Sequence, residues 1–240
     1  MGGDGKGLLY GGLEVAEQLQ LNKKVSNARG KPFLPKRGIK FNIPLDARTP
    51  GYDDTGDAAQ KNIAVVWNWD FWREFLDNMT LYRYNTLTIW NPHPFPSMIK
   101  QENYPDVALD DVKVTTLKPI GKENEWAEPQ LVSRNVMDNL KNVKRISIDE
   151  KITFWQKVMA HAKKRGIDIY FITWNICPNS VAKPAPPFYR TYDIDPWDEP
   201  PGKHGISHQA DDPETKAYFR DAVKTFLLTY PDVKGIGVTA

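Results

Sequence analysis

Apolar positions along this chain switch between a helical spacing of three to four residues and a strand spacing of two, and the switches divide it into alternating elements. From Gly7 to Leu21, the residues Leu8, Val15 and Leu19 interleave with Leu9, Leu13 and Ala16 at helical spacing. A basic stretch containing Gly and Pro, from Asn22 to Pro35, leads to Gly38-Ile-Lys-Phe-Asn-Ile43, which alternates and stops at Pro44 as a strand does. Trp72, Phe75, Met79 and Tyr82 mark an amphipathic helix between Trp69 and Tyr82, and a β-rich run, Asn85 to Trp90, follows it directly. The pattern then repeats. Ser147 and Glu150 have the spacing of a capping box, Ile152, Trp155, Met159 and Ala162 continue the stripe, and Gly166 stops it before a third strand, Ile167 to Trp174. Asp212 as N-cap with Pro213 at the first helical position opens a last helix, and Val233 to Thr239 reads as a fourth strand.

Strands that alternate with amphipathic helices form parallel βαβ units. Each helix-to-strand connection is short, whereas the strand-to-helix connections run from Pro44 to Asn68, Asn91 to Ile146 and Asn175 to Asp211. In a parallel sheet these long segments all leave the carboxyl ends of the strands, the face on which barrels and doubly wound sheets place their sites. The predicted fold is α/β, a partial TIM (β/α)8 barrel of about four βα units. Residues 1–30 are expected to be a helix and linker from the end of an N-terminal α/β domain, and 31–240 the first half of a catalytic barrel. Four strands cannot close an eight-stranded barrel, so a truncated chain with an open edge is expected, and self-association through that edge is one way to cover it.

Composition narrows the chemistry. The 240 residues are 40% hydrophobic and 26% charged, which is ordinary for a globular protein. Lys and Arg number 32 against 30 Asp and Glu and form no stripe, so nucleic acid is not an expected partner. No apolar run reaches the ~20 residues of a membrane-spanning helix, and none is expected to cross a membrane. The start, Met1 to Gly7, lacks the basic and apolar blocks of a signal peptide. Cys177 is the sole cysteine and reads as a packed thiol. His204 and His208 lie four apart in a Gly- and Pro-flanked loop, and Asp53, Asp54 and Asp57 lack the calcium-loop pattern, so no metal or cofactor is expected.

Candidate binding residues cluster at the strand ends. Past strand two, Trp90-Asn-Pro-His-Pro-Phe-Pro96 is a proline-stiffened loop presenting Trp90, Asn91 and His93. An indole packs on the C–H face of a pyranose, while an amide and a neutral imidazole exchange hydrogen bonds with hydroxyls. The alternative is a rigid turn with a satisfied histidine. Trp174 and Asn175 repeat the Trp-Asn pair past strand three. Arg37 opens strand one, which leads on to Asp46 and Arg48. It is either an ion-pair partner of Asp46 or a guanidinium that grips sugar hydroxyls or a uronate carboxylate.

At these residues the chain resembles a known superfamily. Gly7-Leu-Leu-Tyr-Gly-Gly12, Lys31-Pro-Phe-Leu-Pro-Lys-Arg-Gly38 and Asp46-Ala-Arg48 resemble the entry into the barrel of family 20 β-hexosaminidases and family 67 α-glucuronidases. Asn91 to Met98 and Tyr230 to Ala240 look more like the α-glucuronidase-like branch. The resemblance implies a glycoside hydrolase (β/α)8 fold and a carbohydrate ligand, with Arg37 where the hexosaminidase arginine grips substrate hydroxyls. The polymer would come from plants or algae and bear uronic acid; localisation stays unassigned, an extracellular or periplasmic setting being compatible with such a parent protein. Neither of the two carboxylates that glycosidic cleavage requires can be matched, and Asp195, Asp198 and Glu199 fit no catalytic motif. The catalytic residues stay unassigned, and an acidic residue is expected within a few positions past Ala240. The alternatives are a non-catalytic carbohydrate-binding protein and a self-assembling structural half-barrel.

Overall fold

The computed structural model describes residues 2–26, 29–49, 57–116, 132–133, 138–174, 189–190, 206 and 211–239. Its centre is a four-stranded parallel sheet of β1 (Gly38–Asn42), β2 (Thr86–Trp90), β6 (Asp168–Trp174) and β8 (Gly235–Thr239), which lie side by side in chain order. These are the four strands that the alternation predicts, each within two residues of its expected ends. In register, Lys40 pairs with Thr88 and Thr88 with Tyr170, and Tyr170 pairs with Gly235. Gly38 is required by that pairing, because a Cβ there would lie 2.4 Å from the carbonyl oxygen of Thr86, a backbone atom that cannot move aside.

Four helices carry the core. They are α2 (Asp57–Val66), α3 (Trp69–Leu81), α5 (Ile148–Lys164) and α6 (Pro213–Thr229). Their starts obey the sequence signals: Asn68 caps α3, Ser147 and Glu150 form a complete capping box on α5, and Asp212 caps α6 ahead of Pro213. Gly166, after α5, has φ +72°, the left-handed conformation that glycine reaches without strain. The stripes Trp72, Leu76 and Met79, then Trp155, Val158 and Ala162, then Tyr218, Ala222 and Phe226, are all buried. They pack on Leu87, Ile89, Ile169 and Phe171, which alternate along β2 and β6 toward one face of the sheet. The rings of Trp72 and Trp155 meet edge to face at 5.2 Å, and those of Phe171 and Phe226 do the same at 5.2 Å.

The other face of the sheet carries Lys40, Asn42, Thr86, Thr88, Trp90, Asp168, Tyr170, Ile172, Gly237 and Thr239, by the same alternation. Helix α1 (Gly5–Gln20) lies at the amino ends of the strands. Lys6 reaches Asp168 at 3.4 Å, and Glu17 reaches Arg83 at 3.3 Å. α1 buries none of its residues, so Leu8, Val15 and Leu19 stay exposed.

Three features were not predicted. α2 falls inside the segment from Pro44 to Asn68 that reads as a connection. The long segment after β2 holds the short helix α4 (Phe95–Met98), a 3-10 turn at Pro105–Val107, and β3 (Val112–Thr115) paired antiparallel with β5 (Leu140–Lys144). β4 (Val132–Ser133) pairs in parallel with β7 (Tyr189–Arg190).

Candidate binding face at the strand ends

The residues singled out from sequence separate into three groups. Arg37 stands apart. It precedes β1 at the amino end of the sheet, where its Nε donates to Arg83 O at 2.9 Å and a terminal nitrogen donates to Leu34 O at 2.7 Å. Its guanidinium lies 5.7 Å from the centre of the Tyr10 ring. Asn85 fixes this segment by accepting from Arg37 N and donating to Pro35 O, both at 2.8 Å. Five residues of extended strand put roughly 15 Å between this end and the carboxyl end, so the structure does not bring Arg37 together with Trp90, Asn91 and His93.

Of the two readings of Arg37, the ion pair with Asp46 is not formed. Asp46 is bound by Arg48, whose Nε donates to one carboxylate oxygen at 2.8 Å and whose terminal nitrogen donates to the other at 2.9 Å. Lys113 N on β3 donates to the same carboxylate at 3.0 Å, and Arg48 donates onward to the carbonyls of Asp110 and Asp111. The chain direction explains the change: Asp46 lies past the carboxyl end of β1, beside the β3 hairpin. Lys151, buried beneath the same loops, donates to Leu109 O at 2.7 Å. Burial pulls its ammonium down to about 8, against the opposing pull of Asp46, Asp110 and Asp111. Together these groups make a rigid platform behind the strand ends.

Asn91 and His93 form the second group and are turned inward. Both are fully buried. The Asn91 amide donates to Ile43 O at 2.7 Å, and its oxygen accepts from His93 N at 3.0 Å. This ties the ends of β1 and β2 into one corner. His93 sits among Phe95, Tyr218 and Phe219, with Nε2 3.1 Å from the Tyr218 hydroxyl. Burial holds its imidazole neutral, with the pKa down at about 3. The rigid-turn reading of this loop describes the geometry, but the histidine is only half satisfied, because its Nδ1 is buried without a hydrogen-bond partner.

Trp90 belongs to the third group, on the sheet face opposite the helices, where it is itself buried at 3% exposure. Its indole Nε1 donates to Thr239 Oγ1 at 3.4 Å, linking the carboxyl ends of β2 and β8 across β6. The Lys40 ammonium lies 5.2 Å from its ring centre. Asn42, in register with Trp90, has a buried side-chain oxygen that accepts no hydrogen bond. Trp174 ends β6 in register with Thr239. Its side chain, like Asn175, Cys177, His204, His208, Asp195, Asp198, Glu199, Asp53 and Asp54, lies outside the described residues.

Among the described residues no group of three or more acidic, His or Cys side chains is placed to hold a metal, and no helix is long and apolar enough to cross a membrane.

No family model matches the chain and no curated protein does, so the resemblance to families 20 and 67 rests on its motifs alone. Among solved structures, a GH138 enzyme targeting pectin rhamnogalacturonan II is similar over 98% of this chain, at 23% identity and a TM-score of 0.57. The likeness shows a shared fold, and this chain spans 22% of that enzyme. A GH5_18 protein from Bifidobacterium longum subsp. longum, in complex with Manb1-4GlcNAc, aligns with 75% of this chain and 30% of its own length at 12% identity and a TM-score of 0.36.

Proposed function

We propose that this chain forms the first four units of a (β/α)8 barrel in a glycoside hydrolase-like protein, and that it supplies the sugar-gripping half of the site. The observation that carries the reading is the strand order. Four parallel strands adjacent in chain order, with core-forming helices over one face, are how a barrel begins, whereas a doubly wound sheet reverses its order and carries helices on both faces. The uncovered face and the carboxyl ends then correspond to the barrel interior and mouth. The fold shared with a glycoside hydrolase supports this.

The proposed ligand is a uronate-bearing plant or algal polysaccharide. The similar enzyme targets pectin rhamnogalacturonan II, which supports that choice. The proposed binding set at the strand ends comprises Trp174 and Asn175, with the buried Trp90, Asn91 and His93 holding the corner behind them. Among the described residues the open sheet face carries one carboxylate, Asp168, which sits at its amino end and is engaged by Lys6. Cleavage of a glycosidic bond needs two. The expected result of titrating the chain with pectic oligosaccharides is a saturable change in tryptophan emission with no release of reducing ends. A flat response to every oligosaccharide contradicts the binding reading, and hydrolysis by this chain contradicts its restriction to grip.

A further inference from the structure

We infer that this chain pairs with a second copy of itself at the amino ends of its strands, each copy laying the basic turn after α1 into a groove between α1 and the end of α3 on the other; the inference is independent of the carbohydrate reading above.

The groove has a volume of about 580 Å³ and is lined by Leu13, Ala16, Leu81 and Tyr82, with Glu14 and Glu17 beside them. Its apolar side chains face water, Leu81 at 50% and Tyr82 at 71% exposure. Arg83, the cation that lines it, is shared between the two carboxylates, 3.3 Å from Glu17 and 3.8 Å from Glu14. Two carboxylates against one guanidinium leave the groove net negative.

The turn after α1 has the opposite character. Asn22 to Leu45 contains no acidic residue. Lys23 and Lys24 are exposed, and Leu21 and Val25 flank them at 57% and 46% exposure. The turn is already fixed, because Lys23 N donates to Gln18 O at 2.8 Å and Ser26 N to the Gln18 side-chain oxygen at 3.1 Å, so docking it costs little further order. Two apolar side chains flanking two ammonium groups complement an apolar groove that is net negative. Gln20 lines the groove and the turn begins at Leu21, so both features adjoin at one end of one helix. A single two-fold axis beside that end seats each turn in the other copy's groove. A foreign basic peptide would fill one groove, whereas a second copy fills two and takes Leu21, Val25, Leu81 and Tyr82 of both partners out of water. The contact lies at the opposite end of the sheet from Trp174, which leaves the carboxyl ends of the strands open in both copies.

The test is sedimentation velocity of the full chain over a micromolar to submillimolar concentration series. The wild type is expected to show a reversible monomer–dimer equilibrium that weakens as salt rises. Glu14→Lys with Glu17→Lys makes groove and turn both positive, and Lys23→Glu with Lys24→Glu makes both negative. Each double variant alone is expected to dimerise more weakly by about tenfold or more. An equimolar mixture of the two is expected to restore the dimer, because every turn then meets a groove of opposite sign. Lys23 and Lys24 are exposed, so their double variant should retain the wild-type thermal transition, measured alongside, and it tests the surface even if the groove variant does not fold. A wild type that stays monomeric throughout the series overturns the inference. Undiminished dimerisation in the Lys23, Lys24 variant overturns it as well and moves self-association to the open sheet edge. A mixture of two folded variants that stays monomeric overturns the reciprocal seating.

Discussion

Replacing Asp46 by alanine is expected to lower the unfolding free energy by about 3–5 kcal/mol, the range for removing one partner of a buried ion pair. Asp46 is 3% exposed and its carboxylate accepts four hydrogen bonds, two from the Arg48 side chain, one from Arg48 N and one from Lys113 N. Without it the Arg48 guanidinium, itself mostly buried, keeps two carbonyl acceptors and loses its counter-charge. Asp46→Asn keeps the shape and one acceptor oxygen, so it should cost less, about 1–3 kcal/mol. Urea unfolding measures both. A cost below 1 kcal/mol for Asp46→Ala would mean that the loops after β1 and β2 are not held through this carboxylate.

Stability is expected to fall by about 2–3 kcal/mol between pH 6.5 and pH 4.5 through His93 alone. The sign follows from the two states. In the folded protein burial keeps the imidazole unprotonated down to about pH 3, whereas in the unfolded chain it takes a proton near 6.5. A depressed folded pKa gives stability that is present above 6.5 and is lost as the pH falls, at about 1.4 kcal/mol per unit. His93→Gln keeps a hydrogen-bonding group toward Tyr218 and cannot titrate. The variant starts less stable, and its loss between pH 6.5 and 4.5 should be smaller than the wild type's by that amount. Parallel profiles for the two proteins would contradict the neutral buried imidazole.

The parts of the fold that were legible in the sequence are those set by local physics. Period-two alternation located β1, a β-rich run gave β2, and the capping signals of Ser147 and Asp212 gave α5 and α6 their starts. The β3–β5 hairpin was hidden because its strands are separated by a long insertion, and pairing across such a distance leaves no local periodicity. Asn91 and His93 were misleading for a related reason: polar residues in a Pro-rich loop look exposed, but α6 packs over them through Tyr218 and Phe219. Arg37 looked like a site residue because it adjoins a strand. Its position before the strand places it at the opposite end of the sheet from the long loops.

The most direct test of the central claim, that the open face and the carboxyl strand ends bind the sugar chain, is a hydrogen-exchange footprint of the protein with and without saturating pectic oligosaccharide. The account predicts slowed exchange in segments containing Lys40 to Ala47, Trp90 to His93 and Val238 to Thr239, with α1 and the segment from Arg83 to Asn85 unchanged. Protection confined to α1 and the amino ends of the strands, around Arg37 and Tyr10, would contradict it.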